Sequence, residues 1–320
     1  MKKAYLLIAF ATLMFSSMEI ALKMAGASFN PIQLNLIRFF IGALVLLPFA
    51  IKSIRRNTDL TPRLADFAIF ALTGFMCVII SMSLFQIAIV VDEASTVAVL
   101  FSSNPVFALI FVVLILRERI ARAEIISTVV SIIGLIVIAN PAHLTNPLGL
   151  TLALLSALTF GLYSVISRFG SVKLNYDGIT MTCFTFFAGS LELLIIAWVS
   201  KITVVGSFLR SVGLTDFANI PILRGINLAH LPILLFIGVL VTGGGFAAYF
   251  MAMEITNVST ASLVFFIKPG LAPILATLIL HEKIVPTTII GIVIILIGST
   301  LTFISNYRRT HLPIRQKTAD

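Results

Sequence analysis

Charge is what this sequence has least of. Lys, Arg, Asp and Glu make up 11% of its 320 residues, where a soluble domain carries about a quarter. Only two cysteines are present, Cys77 and Cys183, both inside apolar runs, which leaves no disulfide framework and no cysteine metal site. Its four histidines, His143, His230, His281 and His311, are scattered without ligand spacing, so no metal is expected. His-Glu-x-x-His, Gly-x-Ser-x-Gly and Cys-x-x-Cys are all missing. Thr242-Gly243-Gly244-Gly245-Phe246 is no phosphate loop, because no Gly-Lys-Ser/Thr follows it. With no recognisable nucleophile–base pair, the chain reads as a non-enzyme without cofactor.

What it has in abundance is apolar length. Hydrophobic residues make up 59% of the chain and the mean hydropathy is +1.11. A hydrocarbon core of about 30 Å needs about 20 apolar residues per helix. Runs of that order fall at 4–24, 32–51, 66–90, 95–115, 122–139, 149–169, 178–199, 231–254, 259–279 and 286–305. Lipid offers no partners to backbone polar groups, so spans must be helices or a closed barrel. Continuous apolar runs choose helices. The expectation is an all-α integral membrane protein of ten transmembrane helices, with the N-terminal run retained as the first span, since it lacks an Ala-x-Ala cleavage signal. Little chain is left for a soluble catalytic domain.

One segment occurs twice. Ser95–Gly134 lies over Ser259–Gly298 without a gap, and 16 of 40 positions are identical, including Phe101/Phe265, Pro105/Pro269, Glu118/Glu282 and Gly134/Gly298. Apolar matches come cheaply in membrane proteins; a mid-helix proline, a terminal glutamate and a late glycine held in register do not. Five spans per copy, an odd number, turn the second copy upside down. Such inverted repeats are typical of secondary transporters, whose binding sites lie between the halves. The expected units are 1–143 and 144–320, the second with a C-terminal tail.

Basic residues fix the orientation. With the N-terminus in the cytoplasm, 15 Lys and Arg fall inside and 5 outside, Arg38 and Lys268 being within spans. By the positive-inside rule both termini are cytoplasmic. The duplicated loops agree: Arg117-Glu-Arg-Ile-Ala-Arg122 carries three arginines, His281-Glu-Lys-Ile-Val-Pro286 one lysine. The net charge of +9 is thus an orientation signal, and no nucleic-acid partner is expected. The connection Ser200–His230 is either a segment lying in the membrane interface or a solvated loop.

Ionisable groups at bilayer depth cost roughly 2.5–3.5 kcal/mol on insertion scales and are functional candidates by default. Lys268 lies mid-span directly before Pro269, and Asn104-Pro105 holds the equivalent place in the other copy. Each proline removes a backbone hydrogen bond, so helix breaks at Pro105 and Pro269 are expected to open polar backbone to a cavity. The alternative for Lys268 is a packing ion pair, with Glu192 as its partner. Thr12, Ser16, Glu19 and Lys23 form a polar stripe, as do Ser156, Thr159, Tyr163 and Ser167. Such stripes line a path or bind helices together; Glu19 can also bridge to Lys23 one turn away. Arg38 is specific to one half, its counterpart being Thr185; it contacts a substrate or snorkels to headgroups. Phe101 and Phe265, one turn before the prolines, are candidates to pack on an apolar part of a cargo.

These residues carry a resemblance. A helix entered by Ser-Thr, with proline at its middle and then Leu116-Arg-Glu-Arg119 or Leu280-His-Glu-Lys283, resembles the element closing the fourth helix of each half in EamA-type transporters of the drug/metabolite transporter superfamily. The first helix departs from the family pattern, with Phe15-Ser16-Ser17 where Trp-Gly is common; Phe160-Gly161 in the sixth is closer. The resemblance implies ten helices, a central cavity and, commonly, export of amino acids, other metabolites or drugs across the cell membrane. Ser16, Glu19, Arg38, Phe101, Asn104, Tyr163, Phe265 and Lys268 are the candidate substrate and translocation residues, with proton exchange the candidate coupling and a monomer or homodimer as the assembly. A lipid-linked or nucleotide-sugar carrier is the second transport reading; an intramembrane enzyme or scaffold is the reading outside transport.

Overall fold

The protein is described by a computed structural model covering residues 2–57, 63–116, 122–139, 146–255, 261 and 263–311. Glu118, Ser259 and the seam at 143/144 lie outside these. Among the described residues the chain forms ten long helical segments and no strand. They are α1 Lys2–Gly26, α2 Pro31–Arg56, α3 Leu64–Val91, α4 over 94–116, α5 Arg122–Ala139, α6 Pro147–Leu174, α7 Gly178–Val199, α8 over 231–255, α9 Leu263–Leu280 and α10 Pro286–His311. Seven of the described helices are long and apolar enough to cross a membrane, and shorter apolar stretches lie at Val129–Ile138, Ile267–Leu280 and Pro286–Gly298. Exposed Ile, Leu, Val and Phe side chains cover the outside of the bundle, as lipid-facing walls must.

Helix starts follow local chemistry. Asn30 accepts from the amides of Ile32 and Gln33, with Pro31 opening α2; Asp177 accepts from Thr180 at the start of α7. Each satisfies amides that the first helical turn leaves unpaired.

The packing is cross-braced. α1 lies on α9 and α8, α6 on α4, α2 on α7 and α8, α3 on α7, and α5 on α10. Small residues let backbones approach. A Cβ on Gly42 of α2 would meet Thr242 of α8 at 2.7 Å, and one on Gly189 of α7 would meet Val78 of α3 at 2.6 Å. Thr242 and Val78 are 164 residues apart, so the same contact is made twice. Phe15 with Phe265 (ring centroids 6.1 Å apart) and Phe160 with Phe101 (5.2 Å) repeat the theme between α1 and α9 and between α6 and α4. Both α3 and α8 carry a π-helical stretch, Phe75–Ser81 and Phe236–Gly244, a local underwinding common at functional sites.

The two prolines act differently. α4 breaks: Ala94–Phe101 ends, and Asn104–Phe111 begins a new helix with Pro105 in its first turn. α9 runs unbroken through Pro269, which corrects the expectation of twin breaks. The flanking side chains explain the difference. Asn104 Nδ2 donates to the carbonyl of Phe101 at 2.8 Å, the acceptor that Pro105 leaves without an amide, and the hydroxyls of Ser102 and Ser103 add second bonds to the carbonyls of Ala98 and Leu100 at 2.7 and 2.6 Å. In the other copy Phe266 and Ile267 have no donor to offer and Lys268, aligned with Asn104, is committed to Glu19, so no side chain is placed to support the same break.

The 200–230 connection is folded over the turn that joins α1 to α2. Gln33 Nε2 donates to the carbonyls of Ile222 and Arg224 at 3.1 and 2.7 Å, and Asn30 Nδ2 to that of Asp216 at 3.0 Å. Its short helix Thr203–Ser211 exposes Val204 and Phe208, with Val212 following. That spacing puts them on one face, which suits a segment lying along the membrane surface.

Candidate functional site

Where the bundle axis meets the break in α4, side chains from α1, α2, α3, α4, α6, α7, α8 and α9 enclose a cavity. Its wall is aromatic: Phe15, Phe39, Phe101, Phe160, Phe186, Phe246 and Phe265 all line it, with Tyr163. Its polar content is small and specific: Arg38, Lys268, Asn104, Ser102 and Cys77. The space open to water centres is about 60 Å³. At about 10–15 Å³ for one water, it holds a few, so the walls must part to admit a metabolite.

Lys268 reaches across to α1, where its Nζ lies 2.7 Å from Glu19 Oε1. Both are nearly sealed, at 4% and 1% exposure. Glu19 is therefore the partner of Lys268, a correction to the expectation of Glu192. The helix packing is the reason: α1 lies against α9, while α7, which carries Glu192, packs on α2 and α3. Lys23 likewise does not bridge to Glu19; its ammonium engages the Asp92 carbonyl and Glu282 at one end of the bundle.

Arg38 is the largest fully buried side chain, at 1% exposure; it does not snorkel. Its Nε donates to Asn35 Oδ1 at 2.9 Å, Nη1 points at Met18 Sδ at 3.6 Å, and the guanidinium carbon lies 4.3 Å from the Phe39 ring centroid. Its Nη2, together with both carboxylate oxygens of Glu19, Asn35 Nδ2 and Ser16 Oγ, makes no hydrogen bond among the described residues, Glu19 Oε1 being held by Lys268 as an ion pair. Buried polar groups are rarely left so. A guanidinium nitrogen and a carboxylate oxygen are thus both buried and both without a hydrogen-bond partner.

The remaining candidates sort by position. Asn104 sits at the break, Phe101 lies 5.4 Å from Lys268 Nζ, and Tyr163, Phe265 and Lys268 line the cavity. Ser16 is buried one turn before Glu19. The α6 stripe divides: Ser156 exchanges hydrogen bonds with Ser81 of α3 (2.9 and 3.0 Å), a helix-binding contact, while Tyr163 faces the cavity. Asn35, Met18 and Cys77 were not singled out by the sequence. Asn35 had a signal, since it lies one turn before a buried arginine; Met18 and Cys77 had none.

The duplicated positions carry the frame, and the others carry the charge. Phe15 matches Phe160 and Phe101 matches Phe265, whereas Glu19 matches Ser164, Arg38 matches Thr185 and Lys268 matches Asn104. Packing therefore does not demand the charges.

Long apolar helices around a buried, charged, aromatic-walled cavity define a multi-pass membrane protein built to hold a small solute. The chain belongs to the EamA-like transporter family, which matches residues 2–140 and again 147–304. An uncharacterized transporter of Clostridium kluyveri is 38% identical, the match covering 98% of this chain and 96% of that one. An S-adenosylmethionine uptake transporter of Rickettsia conorii is 29% identical over 48% of this chain and 50% of its own. A probable terminal-alkyne amino-acid exporter of Streptantibioticus cattleyicolor is 24% identical over 72% of this chain and 71% of its own.

Proposed function

We propose that this protein is a secondary transporter that moves a small α-amino acid or related zwitterion across the cell membrane by alternating access. Two five-helix units, 1–143 and 144–320, oppositely oriented with both termini cytoplasmic, enclose the site in this reading. The observation that carries it is a pair of buried, oppositely charged groups without hydrogen-bond partners: Arg38, which lines the cavity, and Glu19, which is held behind the cavity-lining Lys268. Arg38 Nη2 takes a carboxylate, and Glu19 Oε2 takes an ammonium, while Oε1 stays with Lys268. Asn35 and Asn104 orient the headgroup, and the phenylalanine wall covers the side chain. Both cargo names among the relatives, S-adenosylmethionine and an alkyne amino acid, denote molecules with an α-amino acid headgroup.

Coupling follows from the same carboxylate. A proton on Glu19 removes the charge that holds both Lys268 and a substrate ammonium, so proton and cargo compete. Competition for one site across an alternating barrier is exchange, with the cargo leaving as a proton enters. Proton and cargo bound together would instead give symport. A diphosphate cargo, as in nucleotide-sugar or lipid-linked carriers, finds less support: Lys268 is already neutralised by Glu19, leaving Arg38 as the uncompensated cation among the described cavity residues.

Purified protein in proteoliposomes tests the reading. A pH gradient should drive accumulation of a labelled amino acid, and Arg38→Gln should weaken it by about 10- to 100-fold at subsaturating substrate while insertion is unchanged. Flux indifferent to the gradient removes the coupling; flux unchanged in Arg38→Gln removes the site.

A further inference from the structure

The outer end of the bundle is closed by a contact that the cavity does not explain. Glu282 stands just past the end of α9, yet its side chain reaches the start of α4. Oε1 accepts from the amide of Ala94 at 2.8 Å; Oε2 accepts from the amide of Ser95 at 3.0 Å and from Ser95 Oγ at 2.7 Å. A carboxylate at a helix N-terminus meets unpaired amides and the positive end of the helix dipole together. Here the carboxylate comes from the segment just after α9, 187 or 188 residues away in sequence, so it ties the end of one helix to the start of another rather than capping its own.

Other groups converge on the same place. Lys23, ending α1, lies 3.7 Å from Glu282 Oε1 and donates to the Asp92 carbonyl. Asn146, at the start of α6, donates to the carbonyl of Val91 at the end of α3. The Asp92 side chain lies so close to Gly149 of α6 that a Cβ there would come within 2.6 Å of Asp92 Cβ. The ends of α1, α3 and α9 are thus tied to the starts of α4 and α6, all of them helices that line the cavity.

We infer that Glu282 is the latch of the outer gate: its carboxylate must leave Ala94 and Ser95 before the cavity can open outward. This rests on the alternating-access reading proposed above. α4 is already hinged at 102–103, so its outer half, Ala94–Phe101, is the piece that the latch holds and the break frees. Phe101, at the bottom of that piece, is a cavity wall, so releasing the top moves a surface that touches the cargo. The gating step is then the loss of three charge-assisted hydrogen bonds, which are stronger than neutral ones.

The protein supplies its own probe. Cys77 lines the cavity, and the other cysteine, Cys183, is buried away from it, donating to the Ala43 carbonyl. In a Cys183→Ala background, a membrane-impermeant methanethiosulfonate reagent is applied to intact cells for the outer face and to inverted vesicles for the inner. Glu282→Gln should raise the rate of Cys77 modification from outside by about tenfold or more, for a loss of at least one charge-assisted bond, and lower it from inside. Ser95→Ala should do the same more weakly, and Glu282→Asp should restore part of the wild-type ratio. Unchanged outside labelling in Glu282→Gln and Ser95→Ala overturns the latch, as does an equal rise from both faces, which marks general loosening. The labelling needs no transport: absent flux in the wild type would sink the transport reading while the labelling still decides the latch.

Discussion

Replacing Glu19 by Gln keeps the shape of the side chain and removes its charge. The Lys268 ammonium, buried and 2.7 Å from the lost carboxylate, is then left without a counter-ion. Breaking one partner of a buried pair costs about 3–5 kcal/mol, whereas removing both charges together is close to neutral or stabilising. Three proteins therefore make a cycle: Glu19→Gln, Lys268→Met and the double variant. Each single variant should lose most of that stability. The double should recover nearly all of it, giving a coupling energy of about 3 kcal/mol or more, well above the few tenths expected of independent sites. Thermal unfolding of the purified protein in one detergent reads the stabilities, and proteoliposome exchange reads function. Both singles and the double should fail to exchange, because a stable cavity without Glu19 has nothing to hold an ammonium or a proton. Destabilisations that simply add would refute the energetics. A double variant that transports normally would show that the pair only packs.

Arg38→Gln should raise the KM for a zwitterionic cargo by about 10- to 100-fold with little change in melting temperature, following the loss of a hydrogen bond to a charged group. An equally large loss of stability would instead mark Arg38 as structural. Gly189→Ala, whose new Cβ would lie 2.6 Å from Val78 Cγ2, should destabilise by about 1–3 kcal/mol through overpacking, read by thermal unfolding. Asp92 at the outer gate has a pKa raised above the ordinary carboxylate value, chiefly because burial disfavours its charge. A raised carboxylate pKa costs stability above that pKa, and the cost vanishes below the unfolded value. Asp92→Asn should therefore melt higher than wild type at pH 7 and equally near pH 3; the opposite order would overturn the burial argument.

Much of the fold was legible because membrane helices obey a length rule that the sequence states openly. The apolar runs match the helical segments to within a few residues at most ends. The charged positions were legible for the same reason, since a lysine and a glutamate at bilayer depth stand out. Their partners were not. Nothing along the chain says that Lys268 turns toward α1 rather than α7; that depends on which helices touch, and crossing partners such as α1 with α9 are set by three-dimensional packing. The helix break shows a finer limit. Pro105 and Pro269 look equivalent, but Ser102, Ser103 and Asn104 beside one, against Phe266, Ile267 and Lys268 beside the other, set which helix has donors to support a break. The role of Glu282 was hidden because its targets, the Ala94 and Ser95 amides, are backbone groups that no residue pattern marks.

The account depends on the two units facing opposite ways across the bilayer with the cavity between them. Single cysteines placed at 118 and at 282 in a Cys77→Ala, Cys183→Ala background, labelled with an impermeant thiol reagent in intact cells and inverted vesicles, test that directly. The account predicts that position 282 is modified from outside and position 118 only from the cytoplasmic face. Modification of both from the same face would contradict it.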